Sequence, residues 1–300
     1  MPIKTALADR SIEYQENFPT SKISSIKAGG NAKIAIFPTD IAQLTASVDI
    51  CLALRIPYKI IGGCTNTCFS DLGFNGAVIF TGRIKFFSLS GSVLTLECGI
   101  SLAAIQRTLT EDSVAFAPDL FGIPGTVGGA LRNNAGAFLD EISNSFLYGE
   151  FFDTETRKTI KLDRSDLQFS YRHSLIGNDL IFLSGSFKVT LSDKGSIKKI
   201  HSDTLAKRIA NHPKEPSLGS FFKRTEIGIP ASKLIDEAGL KGYRLGGAAI
   251  SDKHAGFIVN LGNATVCDIE RLALYTESKI KDRYGIILER EAEIVLPREF

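Results

Sequence analysis

Nowhere in the sequence do the roughly 18 uninterrupted apolar residues of a membrane-spanning helix occur. The start, Met1-Pro2-Ile3-Lys4-Thr5-Ala6-Leu7-Ala8-Asp9-Arg10, mixes both charge signs and lacks the apolar stretch of an export signal. A cytoplasmic protein with no membrane partner is expected. An excess of one charge is lacking as well: 35 Lys plus Arg stand against 33 Asp plus Glu, too even to point to nucleic acid, although a local basic cleft for phosphate remains compatible. Cysteine is scarce, and five of them, an odd number scattered through 300 residues, fit reduced thiols better than a disulfide framework. Cys64 and Cys68 form the only close pair, with no third Cys or nearby His to complete a metal set, so they read as packing residues and no metal is expected. Neither the Rossmann G-x-G-x-x-G nor the G-x-x-x-x-G-K-[ST] phosphate loop is present, and there is no internal repeat or low-complexity segment.

What is present reads as two or three associated lobes, because 300 residues exceed the roughly 100 to 200 usual for one domain. A strand over 32–38 precedes Asp40, which with Gln43 forms a capping pattern for a helix burying Ile41, Leu44, Val48 and Leu52. The strand Tyr58-Lys59-Ile60-Ile61 runs straight into the loop Gly62-Gly63-Cys64-Thr65-Asn66. Strands at 78–80 and 93–98, a helix over 102–109, a hairpin from 150–153 to 159–162 and a strand at 180–189 follow. Helical spacing at 197–209 stops at His212-Pro213, and Pro216 to Ser220 marks a boundary between lobes. Beyond it the sequence predicts a helix over 231–238 ended by Gly239, a strand at 256–260, a long amphipathic helix over 266–284 closed by Gly285, and a last strand at 286–296.

Glycine lets the main chain approach a ligand closely, and a strand-end loop leading into a helix directs N–H groups at a pyrophosphate. Two loops have this character, Gly62 to Asn66 and Gly122 to Gly129, though glycine clusters are often no more than turns. The second loop, Gly122-Ile123-Pro124-Gly125-Thr126-Val127-Gly128-Gly129-Ala130 followed by Asn134-Ala135-Gly136, resembles the GIPGTVGGA…NAG signature of UDP-N-acetylenolpyruvoylglucosamine reductases. Ile26 to Ala32 is similar to that family's TFRIGGPA segment, and Gly62 to Asn66 to its GGGSN loop. Phe169 to Ser174 is similar to FxYRxS, Gly219-Ser220-Phe221-Phe222-Lys223 to GSxFK, and Lys233 to Gly242 to KLIEEAGLKG. The likeness runs from about Ser25 to Val295.

The resemblance implies an α+β protein: an FAD-binding fold of the vanillyl-alcohol-oxidase (PCMH) type in two subdomains, 1–80 and 81–205, plus a C-terminal α+β substrate-binding domain, 206–285. The final strand, 286–300, is expected to return to the second subdomain. Noncovalent FAD is expected at Gly62, Gly63, Cys64, Thr65, Asn66, Gly122, Ile123, Pro124, Gly125, Thr126, Gly128 and Gly129, with Ala135 and Gly136 near the flavin. The brief link from Arg172 to Leu180 resembles the family's shorter form, which lacks an insertion carrying a substrate-covering tyrosine.

The family reaction uses NADPH to reduce UDP-N-acetylglucosamine enolpyruvate to UDP-N-acetylmuramate for peptidoglycan, and so needs a cation beside the developing carboxylate charge and an acid for C2. Arg172 suits the first role, since a planar donor fork matches a carboxylate; its plainer reading is a solvated arginine at a strand end. Ser220 is by resemblance the proton donor, against the plainer reading of a turn or capping serine. Strand alternation puts Glu289, Glu291 and Glu293 on one face and cannot choose among them; the family's LEPEVxxI pattern aligns Glu291 with the catalytic acid, with Arg290 in place of the usual proline. Tyr171, Lys223 and Arg224 are assigned to substrate, Lys223 as a cation able to steady a Ser220 alkoxide. Cys64 stands where the family usually has glycine, and Thr225 where it often has proline. A monomer is expected. Two other functions fit less of the pattern: a carbohydrate or alcohol oxidase on the same FAD fold, and a flavin-less sugar-nucleotide-binding protein.

Overall fold

The Asp40 carboxylate accepts the Gln43 amide at 2.8 Å and so opens the helix Ile41–Ala53, whose Leu44 and Val48 are fully buried. The Gln43 side chain returns to the Thr39 amide at 3.0 Å rather than to Asp40 itself. The computed structural model describes residues 2–137 and 140–297. The chain forms two units, one from residues 1–16, 34–63 and 76–208, the other from 17–33, 64–75 and 209–300.

The first unit rests on two sheets. One runs in the order Glu13–Pro19, Asn31–Phe37, Phe74–Phe80, Tyr58–Ile61, the last pair parallel with Tyr58 opposite Ala77 and Ile61 opposite Phe80. The other is antiparallel in the order Lys158–Asp163, Phe146–Asp153, Leu180–Lys188, Val93–Glu97, Phe87–Ser90. Periodicity misses Phe87–Ser90 because all four residues are exposed on this edge, leaving no alternation to read. Phe146 meets Phe169, Phe182 and Phe187 edge-on at 5.9, 6.4 and 5.5 Å between centroids, and each such pair adds roughly 0.5–1.5 kcal/mol beyond its buried area. The strand Leu180–Lys188 follows the Arg172 segment after the short link 173–179.

The second unit holds an antiparallel sheet in the order Ser217–Ser220, Phe257–Asn260, Ala248–Ile250, Arg244–Leu245, with the helices Ala231–Glu237 and Val266–Tyr284. Its core joins Phe221, Ile235, Ile269 and Leu272 to Ile26, Ala28 and Cys68, so short segments from early in the chain complete a largely C-terminal unit. The long helix Val266–Tyr284 starts in a capping box of Thr265 and Asp268 and ends at Gly285 with φ +70°. The Asp71 carboxylate also accepts the first helical amides, Val266 at 2.9 Å and Cys267 at 2.8 Å, placing negative charge at the positive end of the helix.

The last strand differs from expectation. Only Glu293–Val295 is strand, residues 286–289 are irregular, and 298–300 lie outside the described residues. The strand pairs in parallel with Thr67–Phe69 and belongs to the second unit, so it does not return to 81–205. Alternating charge gives a strand's faces but carries no record of which distant strand it joins.

Candidate active site

Arg172 is the second residue of a two-residue turn whose flanks, Ser170 and His173, exchange main-chain hydrogen bonds at 3.2 and 3.1 Å. Its φ of +54° lies in the left-handed region, which costs an L-residue about 1–2 kcal/mol and persists only where surroundings impose it. Here they do. Arg172 Nη2 donates to Gly136 O at 2.8 Å and Nη1 to Asn134 O at 3.4 Å, while the guanidinium carbon lies 4.9 Å from the Tyr171 ring centroid. Asn134, fully buried and itself at φ +39°, donates from Nδ2 to Glu141 Oε2 at 2.7 Å and to Ser170 O at 2.9 Å. Its Oδ1 accepts the Ser143 amide at 3.3 Å. One buried amide thus ties the strand-end segment of Ala135 and Gly136 to the Arg172 turn. Sequence reasoning placed Asn134 in a motif but gave it no role; a carboxamide between two glycine-rich turns was the available signal.

The glycine loops behave differently from each other. A Cβ on Gly62 would sit 2.1 Å from Thr126 Oγ1, so Gly62 is required by the close approach of the two loops within the first unit. Amides at the start of the short helix Val127–Arg132 are engaged internally: Val127 N donates to Ile100 O at 2.8 Å, Gly128 N to Cys98 O at 3.0 Å, and Gly129 N to Thr126 Oγ1 at 3.3 Å. Gly122, Ile123 and Gly125 are half-buried, and Pro124 and Gly63 are exposed.

In the second unit, Cys64 adopts φ +51°, the physical reason a glycine is at home there. Its thiol is buried, donates to Thr67 O at 3.2 Å, and is pushed up to about 12 by burial, so it stays protonated and its side chain is turned away from chemistry. The carbonyls of Cys64, Thr65 and Asn66 accept from Ser25 N at 3.0 Å, Ser25 Oγ at 3.3 Å and Glu293 N at 2.9 Å. Ser25 Oγ also reaches Ser217 O at 2.6 Å, anchoring this loop to the strand that carries Ser220.

Ser220 ends that edge strand, exposed beside the buried Phe221 and Phe222. The register against Phe257–Asn260 shifts between Ser217 and Ser220, and Gly219 takes φ +80° within the bulge. Bulges re-aim side chains, which is how Ser220 comes to face outward at the end of an otherwise core-packed strand. Glu291 lies on the neighbouring main chain: its amide donates to Phe221 O at 2.9 Å, and its carbonyl accepts Asn66 Nδ2 at 2.8 Å. The three glutamates differ in position. Glu289 is exposed and ion-paired with Lys223, Glu293 lies in the strand beside Thr67–Phe69, and Glu291 adjoins the Ser220 segment, half-buried. Lys223 directs its ammonium to Glu289, and exposed Arg224 bonds the Gly228 carbonyl at 3.5 Å, so neither assignment to substrate gains a direct contact with Ser220.

Residues 211–295 match the model of the UDP-N-acetylenolpyruvoylglucosamine reductase C-terminal domain, and residues 32–156 that of an FAD binding domain. A UDP-N-acetylenolpyruvoylglucosamine reductase of Caldicellulosiruptor saccharolyticus is 38% identical over 299 residues, covering 98% of this chain and 96% of its own. The chain belongs to the UDP-N-acetylenolpyruvoylglucosamine reductase family. Another family member, from Listeria monocytogenes serotype 4a, is 35% identical over 286 residues, 95% of each chain. The crystal structure of the reductase from Thermus caldophilus gives a TM-score of 0.80 at 27% identity, over 95% of this chain and 98% of that one. Physcomitrella patens BBE-like 1, at 13% identity and a TM-score of 0.50, covers 97% of this chain and 62% of its own and shares the fold alone. As a member of this reductase family the chain is an FAD-dependent oxidoreductase, with a vanillyl-alcohol-oxidase-type FAD-binding fold and a C-terminal α+β domain. Each loop by itself is compatible with such a dinucleotide: Gly63 is exposed, Gly122 and Gly125 are half-buried, and the carbonyls of Cys64, Thr65 and Asn66 are already taken up by Ser25 and Glu293.

Proposed function

We propose that this chain reduces UDP-N-acetylglucosamine enolpyruvate to UDP-N-acetylmuramate with electrons from NADPH, as a cytoplasmic monomer supplying peptidoglycan precursor for wall growth, cell shape and division. The observation that carries this reading is the seating of Ser220 and Glu291 on adjacent main-chain segments, joined by the Glu291 amide and the Phe221 carbonyl at 2.9 Å. That is an acid-bearing pair suited to delivering a proton to carbon. Gly63, the Cys64 to Asn66 loop and Gly122 to Thr126 would hold the FAD pyrophosphate, with Ala135 and Gly136 by the flavin; when reduced, the flavin supplies hydride to C3.

Each residue then has a defined task. Arg172, anchored along one edge by two neutral carbonyls, presents its fixed charge and donor fork to the substrate carboxylate, where negative charge grows as C3 accepts hydride. Ser220 donates its hydroxyl proton to C2. A serine is a weak acid, but a carbanion-like carbon is a stronger base than the serine alkoxide left behind, so the transfer runs downhill. Glu291 polarises the enolpyruvyl group. Tyr171, 45% exposed with Arg172 over its ring, shapes the approach of the substrate to that fork. The test is spectroscopic and anaerobic: NADPH should bleach the bound flavin, and the enolpyruvyl substrate should restore its colour with formation of UDP-N-acetylmuramate. Bleaching without recolouring by that substrate would overturn the assignment.

A further inference from the structure

We propose that Arg290 is a positioning residue that holds Glu291 in register with Ser220 by clamping the irregular segment 286–292 to the long helix Val266–Tyr284. The inference rests on the reading of Ser220 and Glu291 as the proton-handling pair.

The segment after Gly285 has little regular structure of its own to fix it. Asn66 Nδ2 holds Glu291 O at 2.8 Å and Ala292 N reaches Phe221 O at 3.3 Å; the main chain otherwise touches the Ser220 segment through Lys223 N to Glu289 O at 2.8 Å and Glu291 N to Phe221 O at 2.9 Å. These two bonds flank the isolated antiparallel bridge between Phe222 and Arg290. They belong to the residues on either side, so Arg290 occupies a non-hydrogen-bonded pair and its own N–H takes no part in the bridge. Side-chain contacts do what the sparse ladder does not. Arg290 Nε and Nη2 reach both oxygens of Glu277 at 2.5 and 3.2 Å, and Nη1 reaches Glu270 Oε2 at 2.7 Å. Glu270 and Glu277 stand two helical turns apart on one helix face, about 10.5 Å along the axis, and the planar fork spans them. The three side chains are only 24%, 24% and 32% exposed for Arg290, Glu277 and Glu270, so this is a shielded clamp rather than a solvated surface pair.

Fixing Arg290 on the helix pins the main chain immediately before Glu291, whose own amide and that of Ala292 both meet the Phe221 carbonyl, at 2.9 and 3.3 Å. The same geometry explains why a proline suits this position in the resembling family: with no ladder bond to lose, proline restricts the main chain from within, whereas Arg290 restricts it from outside.

The experiment is a double-mutant cycle on the holoenzyme, reading the rate of reoxidation of reduced flavin by the enolpyruvyl substrate, with NADPH reduction and thermal unfolding as controls. Arg290→Gln should slow reoxidation by about ten- to a hundredfold, the scale of a misplacement near 1 Å, and leave NADPH reduction unchanged. Arg290→Pro should recover most of that rate, since it restores restriction without the clamp. In a Glu291→Gln background, Arg290→Gln should add little, because the residue it positions is already disabled. Equal losses from Arg290→Gln in both backgrounds, or an Arg290→Pro variant that folds with FAD yet is as slow as Arg290→Gln, would overturn the positioning role while leaving Glu291 assigned. Wild-type reoxidation by Glu291→Gln alone would instead remove the underlying reading, and this proposal with it. Should Arg290→Gln not fold, the Glu277→Gln variant, which removes the bidentate half of the clamp, carries the same comparison.

Discussion

At the scale of single residues, the proposed roles rest on a few side chains whose surroundings can be varied one at a time. Arg172→Lys replaces a fork held by the Gly136 and Asn134 carbonyls with a point charge, so reoxidation by substrate should slow by about tenfold or more while NADPH reduction changes little. Equal losses in both half-reactions would make Arg172 a flavin or nicotinamide residue instead. Ser220→Ala should lower turnover by roughly 10² to 10⁴, the usual contribution of a positioned acid, whereas loss of a mere capping hydroxyl costs about 1 kcal/mol of stability and little activity. Ser220→Cys should restore part of the rate, because a thiol also donates a proton. Among the glutamates, Glu291→Gln should be far more damaging than Glu289→Gln, which loses only an exposed partner of Lys223, or Glu293→Gln; steady-state turnover of the three variants decides the order.

At the scale of elements, the strand Ser217–Ser220 matters for its irregularity. Gly219 at φ +80° has no heavy atom within 4 Å of where a Cβ would lie, so Gly219→Ala meets no steric clash and probes the main-chain conformation alone. It should cost about 1–2 kcal/mol in unfolding free energy, the left-handed penalty, and should also slow reoxidation by turning Ser220. Lost stability with an unchanged reoxidation rate would show that the bulge does not aim Ser220. Helix boundaries here were legible from the sequence because they are local: Asp40 caps within three residues, and Gly285 ends the helix at its own φ of +70°. The bulge was not, since it exists only against the partner strand Phe257–Asn260.

At the scale of the whole molecule, both units carry buried thiols. Cys51, Cys64, Cys68 and Cys98 are buried and each is pushed up to about 12 by that burial, while Cys267 is exposed. Alkylation of the native protein near neutral pH should mark Cys267 and spare the other four, with all five modified after unfolding; mass spectrometry reads the sites. The sign of the pH effect follows from the raised values. An unfolded chain releases these protons near its ordinary thiol value, about 9, and the folded chain retains them toward 12, so their stabilising contribution is complete below about pH 9 and is lost as pH climbs. Thermal midpoints should therefore fall through that alkaline window, and a midpoint independent of pH there would contradict the burial of these groups.

What the sequence by itself determined is what neighbouring residues settle among themselves: helix caps, strand periodicity, the two glycine loops and the motif order that assigned the family and its FAD. Tertiary structure alone decided matters between residues far apart in the chain. It drew 17–33 and 64–75 into the C-terminal unit, paired Glu293–Val295 with Thr67–Phe69, turned the Lys223 ammonium to Glu289, and laid residues 289–292 beside the segment that follows Ser220. The reason is physical. Alternation along a strand fixes which side chains share a face, but a hydrogen-bond ladder or an ion pair has its energy only when the distant partner arrives, and the sequence of one strand is equally compatible with many partners.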